Sequence, residues 1–161
     1  MSKKTTLHFF CGKMAAGKST LAKELAKKND AVLLREDSWL SQLYPEEITN
    51  IPEYIKYSGR LKNILSEHIQ LLLSHGVSVV LDFPGNTVNQ RSWFRAIYEQ
   101  VNVSHVLHFV DASDEICKQQ LKERNKDKPM ETAFTSAEEF DEITKYFEAP
   151  SEKEGFNIIR Y

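Results

Sequence analysis

The sequence predicts a three-layer α/β protein, in which a parallel sheet of about five strands carries helices on both faces. Three observations lead to this class. Short apolar runs alternate with segments of helical periodicity along the chain, which is typical of βαβ units. The run at residues 77–81 reads VSVVL and is apolar apart from Ser78, as expected of a strand buried on both faces. A glycine-rich stretch at residues 12–19 joins the first strand directly to the first helix.

The predicted strands are short apolar runs, at residues 7–11, 31–34, 77–81, 103–110 and 156–159. The predicted helices lie between and after them, at residues 18–28, 55–75, 88–101, 113–124 and from 136 onward. In the long helix the apolar positions, Ile64 and Leu71 among them, recur at helical spacing and are expected to face inward. Gly76 then supplies a C-terminal stop.

Capping signals support the last two helices. Ser113 or Asp114 can cap the helix that runs to about Arg124. Ser136 and Glu139 have the spacing of a capping box. The stretch between these helices, residues 125–135, is polar and without periodicity, so it is interpreted as a lid loop. We expect all of these elements in one domain that spans residues 1–161.

Composition narrows the class of protein further. Of the 161 residues, 41% are hydrophobic and 27% are charged, and the formal net charge is −2. These values argue against a disordered chain and against a strongly basic nucleic-acid scaffold. No run approaches the roughly 18 apolar residues of a membrane span, and the N-terminal apolar run is too short for a signal peptide. With two cysteines expected to be reduced and buried, Cys11 and Cys117, the sequence suggests a cytoplasmic protein.

Residues 12–19 read GKMAAGKS and match the Walker A pattern G-x-x-x-x-G-K-[ST]. Glycines let the backbone turn tightly, so that successive N–H groups and the following helix N-terminus form an anion site. Lys18 is expected to reach the β- and γ-phosphates, and the Ser19 hydroxyl to ligate Mg²⁺. The predicted ligands are therefore ATP and Mg²⁺. The residues expected to contact the nucleotide are Gly12, Lys13, Met14, Ala15, Ala16, Gly17, Lys18, Ser19 and Thr20.

The remaining sequence helps to separate the classes of Walker A protein. A GTPase would need a guanine-reading N-K-x-D stretch, and Asn125-Lys126-Asp127 lacks that spacing. A large oligomeric ATPase would usually carry an acidic pair after its buried strand, whereas here a lone Asp82 follows residues 77–81. The short chain and the arginine before a polar loop instead favour a small-molecule kinase.

Five segments together resemble the zeta-toxin-like P-loop kinases, which stand beside polynucleotide kinase and chloramphenicol phosphotransferase. The segments are GKMAAGKST, REDSWLSQLYP, SVVLDFPGNT-x3-R, C-x6-RN and YFEAPSEKEGFNI, and they extend from Leu7 to Ile159 when their flanking strands are included. The resemblance implies a P-loop NTPase fold with strand order 2-3-1-4-5, a Mg-ATP site and phosphoryl transfer to a hydroxyl. The sequence departs from the family at Gln120, where an arginine is common, and in the lid, which lacks a second arginine.

Two carboxylates are candidate site residues. Asp37 follows the second strand, at the edge where open α/β sheets bind ligands. In the resembling kinases this position orients or deprotonates the acceptor hydroxyl, and the alternative is an N-cap for the turn at residues 38–40. Asp82 ends the third strand, where it can serve Mg²⁺ through water or accept a hydrogen bond from Ser19. Its alternative is a turn-forming role.

Three further positions are weaker candidates. Arg124 follows a helix expected to end beside the nucleotide, where it can neutralise charge on the transferring phosphoryl group or simply complement the helix dipole. Arg91 can hold the acceptor, or form a surface ion pair. Pro150 lies in a loop that lines the adenine in the resembling kinases, against the alternative of a plain turn.

The other polar and aromatic residues near these positions are interpreted mainly as surface or core residues. Glu36 is the runner-up to Asp37 for the acceptor role, and its preferred interpretation is a solvated surface charge. Trp39, Tyr44 and Tyr57 are expected in the core more often than against a substrate. The histidines at 105 and 108 are expected to share a sheet face and to be structural, because no cysteine or carboxylate completes a zinc set.

Three functional hypotheses follow. The first is an ATP-dependent phosphotransferase acting on the hydroxyl of a small molecule or nucleotide, with Lys18, Ser19, Asp37, Asp82 and Arg124 as its working side chains. The second is a slow NTPase or nucleotide-dependent switch that binds a protein partner and needs no acceptor pocket. The third is a polynucleotide 5′-hydroxyl kinase, which would need a basic entry channel. The net charge of −2 argues against nucleic acid as a partner, and no membrane partner is expected.

Overall fold

In the computed structural model, which describes residues 4–126 and 136–161, the strands form one parallel five-stranded sheet. The strands are β1 (Thr6–Cys11), β2 (Val32–Arg35), β3 (Val79–Asp82), β4 (Ser104–Phe109) and β5 (Ile158–Arg160). Their order across the sheet is β2-β3-β1-β4-β5, which confirms the order implied by the resemblance. The predicted class and topology are therefore correct.

Six α-helices connect or follow the strands within the described ranges. They are α1 (Lys18–Asn29), α2 (Glu36–Leu43), α3 (Ile51–Ser74), α4 (Val88–Val101), α5 (Asp114–Asn125) and α6 (Ala137–Thr144). A short 3₁₀ turn, Glu152–Glu154, precedes β5. None of the helices in the described ranges has the length and apolar content needed to cross a bilayer.

The two faces of the sheet are covered by different helices because side chains alternate along each strand. On one face, Phe10 of β1 and Val80 of β3 pack with Ala22 and Ala26 of α1. On the other, Phe9 lies in the main core with residues of α3 and α4, and its ring stacks on Phe94 at 4.5 Å between centroids. Burial on both faces explains why the central strands read as continuous apolar runs.

Strand register brings the polar residues to one edge of the sheet. Arg35 of β2 pairs with Asp82 of β3, and Cys11 of β1 pairs with Phe109 of β4. Because all four strands run parallel, their carboxyl ends meet at the same edge, where open α/β sheets bind ligands. The stretch at residues 12–17 leaves β1 at that edge and enters α1.

The long helix α3 departs from its prediction at its start and on one face. It begins at Ile51, because Asn50 caps it by accepting a hydrogen bond from the Glu53 amide, with a proline in the first turn. Ile64 and Leu71, expected to face inward, are 75% and 51% exposed. The core stripe instead follows the four-residue spacing of Leu61, Leu65, Ile69 and Leu73. Gly76, with φ of +80°, follows the helix end as predicted.

The two histidines of β4 lie on opposite faces, so the prediction of a shared face was wrong. They are three positions apart in the sequence, and an odd spacing places two side chains on opposite sides of a strand. His105 stacks on Tyr98 at 4.0 Å between centroids, whereas His108 accepts or donates a hydrogen bond with His8 at 2.9 Å. Both have structural partners, as expected. Cys11 and Cys117 are buried free thiols, also as expected.

Candidate nucleotide and acceptor site

The segment at residues 12–19, here called the phosphate loop, has the backbone of an anion site. Ala15 and Gly17 both have positive φ, of +62° and +105°. Gly17 is the N-cap of α1, and the first turn that follows reads Lys18-Ser19-Thr20 without an acidic side chain. The first amides of a helix have no intrahelical acceptor, and they lie at the positive end of the helix dipole. The loop therefore presents free donors to a phosphate.

The Lys18 ammonium lies over the loop itself. It donates to the carbonyl oxygen of Lys13 at 2.7 Å and also to that of Gly12. Burial lowers the pKa of Lys18 to about 8, and the carboxylates of Asp82 and Asp37 act against that shift. A cation that is desolvated in this way is best neutralised by an incoming anion, so this position suits a phosphate group.

Ser19 and Asp82 meet at the junction of α1 and β3. The Ser19 hydroxyl donates to Asp82 Oδ2 at 2.8 Å, as the sequence predicted for this pair. Arg35 Nε lies 3.6 Å from the same oxygen, which is an ion pair without a hydrogen bond. Arg35 is not among the site residues that the sequence predicted. Its register opposite Asp82 makes it part of the site.

This pair of oxygens fits Mg²⁺, a hard cation that prefers hydroxyl and carboxylate ligands. Across residues 4–126 and 136–161, no group of three or more His, Cys, Asp and Glu side chains is arranged to hold a metal. Kinase sites need fewer protein ligands than that, because nucleotide phosphates and water complete the octahedron.

The turn that follows β3 is hydrogen-bonded to the phosphate loop and stabilises its position. Asn86 Oδ1 accepts a hydrogen bond from the Gly12 amide at 2.8 Å, and its own carbonyl accepts from the Glu148 amide at 2.8 Å. The turn approaches β1 so closely that a β-carbon at Gly85 would overlap the Phe10 carbonyl oxygen. Glycine is needed there for close approach rather than for an unusual φ. The sequence showed turn chemistry in this stretch but not its contact with the loop.

Arg91 is a buried clamp, and one of its predicted roles does not match its surroundings. The side chain is 0% exposed, so it is not a surface ion pair. Its guanidinium donates to Glu154 at 2.9 Å, and to the carbonyl oxygens of Gly85 at 2.9 Å and Glu148 at 2.8 Å. These donors bind protein acceptors and so join the turn at Gly85 to the segment at Glu148, whereas a role of Arg91 toward the acceptor stays a prediction. Pro150 lies between two of the residues that Arg91 holds, in a segment anchored to α4.

The second half of the site is a corner formed by Arg35, α2 and the first three turns of α3, here called the α2–α3 corner. Asp37 is exposed in the first turn of α2, which begins immediately after β2. It is inside the helix, so the alternative reading as an N-cap was wrong: Arg35 occupies that position. Burial lowers the pKa of Lys18, and the Asp37 carboxylate opposes this shift less than Asp82 does.

Glu36 was expected to be a solvated surface charge, and this was wrong. It is 1% exposed, and its two oxygens accept hydrogen bonds from the hydroxyls of Tyr54 and of Ser58, the latter at 2.7 Å. Alternation explains the burial, since Glu36 continues the inward side of β2 into α2 two residues after Leu34. Burial raises the pKa of Glu36, while its two donors and Lys62 act in the opposite direction.

The aromatic residues of the corner only partly follow their core prediction. Tyr44 and Tyr57 pack against the main core, and their ring centroids are 4.2 Å apart. Trp39 is 40% exposed on α2. The ammonium of Lys56 and the guanidinium of Arg60 lie over the Tyr57 ring, each at 5.3 Å from its centroid.

Helix α5 approaches the phosphate loop from the other side. Cys117 and Leu121 pack with Ala16, and Met14 and Ala15 contact the same cluster. Lys13 Nζ is paired with Asp114 at 2.6 Å, at the start of α5. Arg124 is exposed in the last turn of this helix, and Asn125 belongs to the helix rather than to the predicted lid. Beyond Lys126, the predicted lid at 125–135 lies outside the described residues.

A cleft of about 460 Å³ opens beside the end of the phosphate loop. It lies between the start of α1, the end of β4 and the face of α5. Its lining residues are Gly17, Thr20, Leu21, Glu24, Val110, Gln120 and Tyr161. The cleft thus includes the predicted nucleotide contact Thr20 and the departure position Gln120. It is on the α1 side of the edge, whereas the Pro150 segment is anchored to α4.

Comparison with known proteins agrees with this geometry. The family model described as "AAA domain" matches residues 7–150, which is most of the chain. The chain belongs to the AAA domain family. Within it, the arrangement is that of a P-loop kinase-like domain, while membership of the zeta-toxin-like subgroup stays a resemblance of sequence motifs. A search of curated proteins finds no relative of this chain.

Solved structures of kinases share the fold at low sequence identity. A provisionally assigned kinase from Chloroflexus aurantiacus j-10-fl matches with a TM-score of 0.74 at 15% identity, over 98% of this chain and 88% of that one. A sugar kinase from Janibacter sp. HTCC2649 matches with a TM-score of 0.68 at 15% identity, over 99% and 85%. The APS kinase CysC of Mycobacterium tuberculosis, in complex with AMPPNP and APS, matches with a TM-score of 0.64 at 17% identity. The match covers 98% of this chain and 88% of that one.

Proposed function

We propose that this protein is an ATP-dependent phosphotransferase that moves the γ-phosphoryl group of Mg-ATP to a hydroxyl of a small molecule or nucleotide. The observation that carries the proposal is the meeting of Ser19 and Asp82, 2.8 Å apart, beside the phosphate loop and one strand away from Asp37. Phosphoryl transfer needs mainly positioning and charge stabilisation. A phosphate site, a metal site and a carboxylate at one edge meet those needs.

The chain's own residues would divide the work as follows. The amides of the loop and Lys18 would hold the β- and γ-phosphates, and Lys18 would stabilise the charge that develops on them. Ser19 and Asp82 would hold Mg²⁺, directly or through water. When bound, this ion supplies Lewis-acid neutralisation of the phosphate oxygens. Arg35 would keep the Asp82 carboxylate oriented.

Asp37 would act on the acceptor. It would accept the hydrogen bond of the attacking hydroxyl, orient its oxygen and take up its proton as the new bond to phosphorus forms. Its exposure leaves it accessible to a ligand, and its influence on Lys18 supports a location near the transferring group. Arg124, exposed at the end of α5, would approach from the opposite side and neutralise charge in the transition state.

The adenine has two proposed locations. The resemblance favours the segment around Pro150, whereas the cleft at Thr20 and Gln120 has the space for a base or ribose. A pair of variants separates them. Thr20→Trp should block nucleotide binding if the cleft is used, and Pro150→Ala should weaken it if the segment is used. Calorimetric ATP affinity is the measurement.

The experiment for the proposed activity is a transfer screen. The protein is incubated with Mg²⁺, ATP labelled at its γ-phosphorus, and pools of sugars, nucleosides and nucleotides, alongside Asp37→Asn. A labelled product that forms with the wild-type chain and is lost with Asp37→Asn supports the proposal. Phosphate release that ignores every pool would favour the switch. Label on a 5′-hydroxyl oligonucleotide alone would favour the polynucleotide kinase.

A further inference from the structure

Glu36, the buried neighbour of Asp37, is held by both of its oxygens. Oε1 accepts from the Tyr54 hydroxyl, and Oε2 accepts from Ser58 Oγ at 2.7 Å. A carboxylate bonded through one oxygen can still rotate, whereas one bonded through both is fixed in position and in plane. The two bonds therefore define an orientation as well as a distance between α2 and α3.

The donors come from one face of one helix. Tyr54 and Ser58 are four residues apart on α3, so their side chains lie one above the other. Lys62, four residues further along, favours the ionised form of Glu36. Hydrogen bonds to a charged acceptor are stronger than neutral ones, and they strengthen further away from water. The hydroxyls of Tyr54 and Ser58 thus bind a single carboxylate on α2, that of Glu36.

Few side chains of α2 are buried. Of its eight residues, all described, Glu36 and Leu40 are the buried ones. The exposed residues include Trp39 and Leu43, which are 40% and 54% accessible. Contact of one leucine with the core attracts the helix but does not orient it, because apolar burial is non-directional. The Glu36 bonds therefore give the start of α2 a direction that the leucine contact does not supply.

We propose that Glu36 is a positioning residue, which fixes the first turn of α2 through Tyr54 and Ser58 so that Asp37 faces the acceptor hydroxyl. This inference rests on the proposed function, since it gives Asp37 a reacting partner. It also explains why a charge is buried here, next to a second carboxylate that must stay exposed. A misplacement of about 1 Å at a reacting group can lower turnover by about a hundredfold.

The first variant is Glu36→Gln, which keeps the shape of the side chain but replaces the charged acceptor by an amide, so that one of the two hydroxyls must reverse its role and accept from the amide N–H. We expect kcat to fall by about tenfold to a hundredfold, while KM for Mg-ATP changes by no more than a few fold. The matched control is Tyr98→Phe on α4, which also removes one phenolic hydroxyl but lies outside the site, with its ring stacked on His105. This control should leave kcat unchanged. An unchanged kcat in Glu36→Gln would overturn the proposal.

A triple variant separates positioning from simple stability. Glu36→Met with Tyr54→Phe and Ser58→Ala removes the carboxylate and both donors together. Replacing a whole buried polar group with apolar residues is often neutral or stabilising. If Glu36 only stabilised the fold, turnover would recover together with the melting temperature. A positioning role predicts a stable protein with intact ATP affinity and low kcat, and recovery of kcat would contradict it.

A spectroscopic measurement decides the matter without using activity. Trp93→Phe leaves Trp39 on α2 as the reporter, in a chain with two tryptophans. Steady-state anisotropy of Trp39 should fall in the triple variant, because the helix loses its directional bonds. Unchanged anisotropy would overturn the inference even if the protein has no turnover. Absence of labelled transfer in the wild-type chain would instead defeat the proposed function and leave the anisotropy result to judge Glu36.

Discussion

The phosphate loop and the α2–α3 corner lie at the same edge of the sheet, but they are built in different ways. The loop is made of consecutive residues, and its shape is a property of the backbone, with Ala15 and Gly17 at positive φ. The corner is assembled from β2, α2 and α3 by side chains, with Glu36 bonded to Tyr54 and Ser58. On the proposed function, substitutions in the corner should therefore lower transfer to the acceptor while nucleotide binding stays intact.

The largest expected effect comes from removing the cation of the loop. Lys18→Ala should abolish ATP binding, or lower turnover by about a thousandfold, because no other loop cation is aimed at the phosphates. Lys13→Ala is the matched control. Its ammonium is engaged by Asp114 at 2.6 Å, so its loss should change turnover only a few fold. Calorimetry and a phosphate-release assay are the measurements. Equal effects of the two changes would contradict the loop assignment.

The support behind the loop can be broken separately. Arg91→Ala should destabilise the protein by about 2–4 kcal/mol, because it removes a fully buried side chain, leaves two carbonyl groups without this donor and takes the ion partner from the half-buried Glu154. Arg160→Ala is the control, since its ion pair with Asp111 has side chains 69% and 40% exposed and should contribute no more than about 1 kcal/mol. Denaturant unfolding measures both. A loss below about 1 kcal/mol for Arg91→Ala would show that the clamp is dispensable.

A smaller expected effect is the uptake of protons when ATP binds. Burial holds the pKa of Lys18 at about 8, below its ordinary 10.5, and a bound phosphate should raise it again. ATP binding at pH 9 should therefore take up protons, and binding at pH 6.5 should take up none through this residue. Calorimetry in buffers with different ionisation enthalpies measures the uptake, and Lys18→Arg should abolish it.

The lowered pKa of Lys18 also makes the stability of the folded protein depend on pH. The folded chain binds its proton on Lys18 less tightly than the unfolded chain does, so the unfavourable contribution is fully present below pH 8. It disappears as the pH rises from about 8 to 10.5, and the contribution of Lys18 therefore becomes more favourable over that window. Proton release on ATP binding at pH 9 would contradict this account of Lys18.

The smallest effect is at Ala15. A non-glycine residue with φ of +62° is strained, and glycine relieves the strain while loosening the unfolded chain. Ala15→Gly should therefore stabilise the protein by no more than about 1 kcal/mol and keep turnover. Ala16→Gly, at a buried residue against Cys117 and Leu121, should destabilise it instead. Thermal melts of both variants compare them, and stabilisation by Ala16→Gly would contradict the strain argument.

The phosphate loop and the α2–α3 corner could be predicted from the sequence to different extents, because they are built in different ways. The loop could be read residue by residue, because Walker A spacing fixes both the backbone turn and the start of α1. The contact between Ser19 and Asp82 was also predictable, since both positions follow from strand order. Glu36 was misread because its burial depends on Tyr54 and Ser58, far along the chain. A hydroxyl pair at i and i+4 on α3 was the only signal, and it does not name its partner.

Elsewhere the errors have similar causes. The odd spacing of His105 and His108 already placed them on opposite faces, so that prediction failed on parity alone. The exposure of Ile64 and Leu71 could not be deduced, because α3 has more apolar positions than one face of the sheet can cover. The buried state of Arg91 depends on Glu154 and on two carbonyl groups from other segments, and no local pattern indicates them.

The separation between the two halves is tested most directly by Asp37→Asn. Calorimetric Mg-ATP affinity and turnover with the acceptor from the screen are measured on the same preparation. The account predicts affinity within a few fold of wild type, turnover lower by roughly 10²–10⁴, and stability changed by no more than about 1 kcal/mol. Full turnover would remove Asp37 from the mechanism, and combined loss of ATP binding and folding would show that its role is structural.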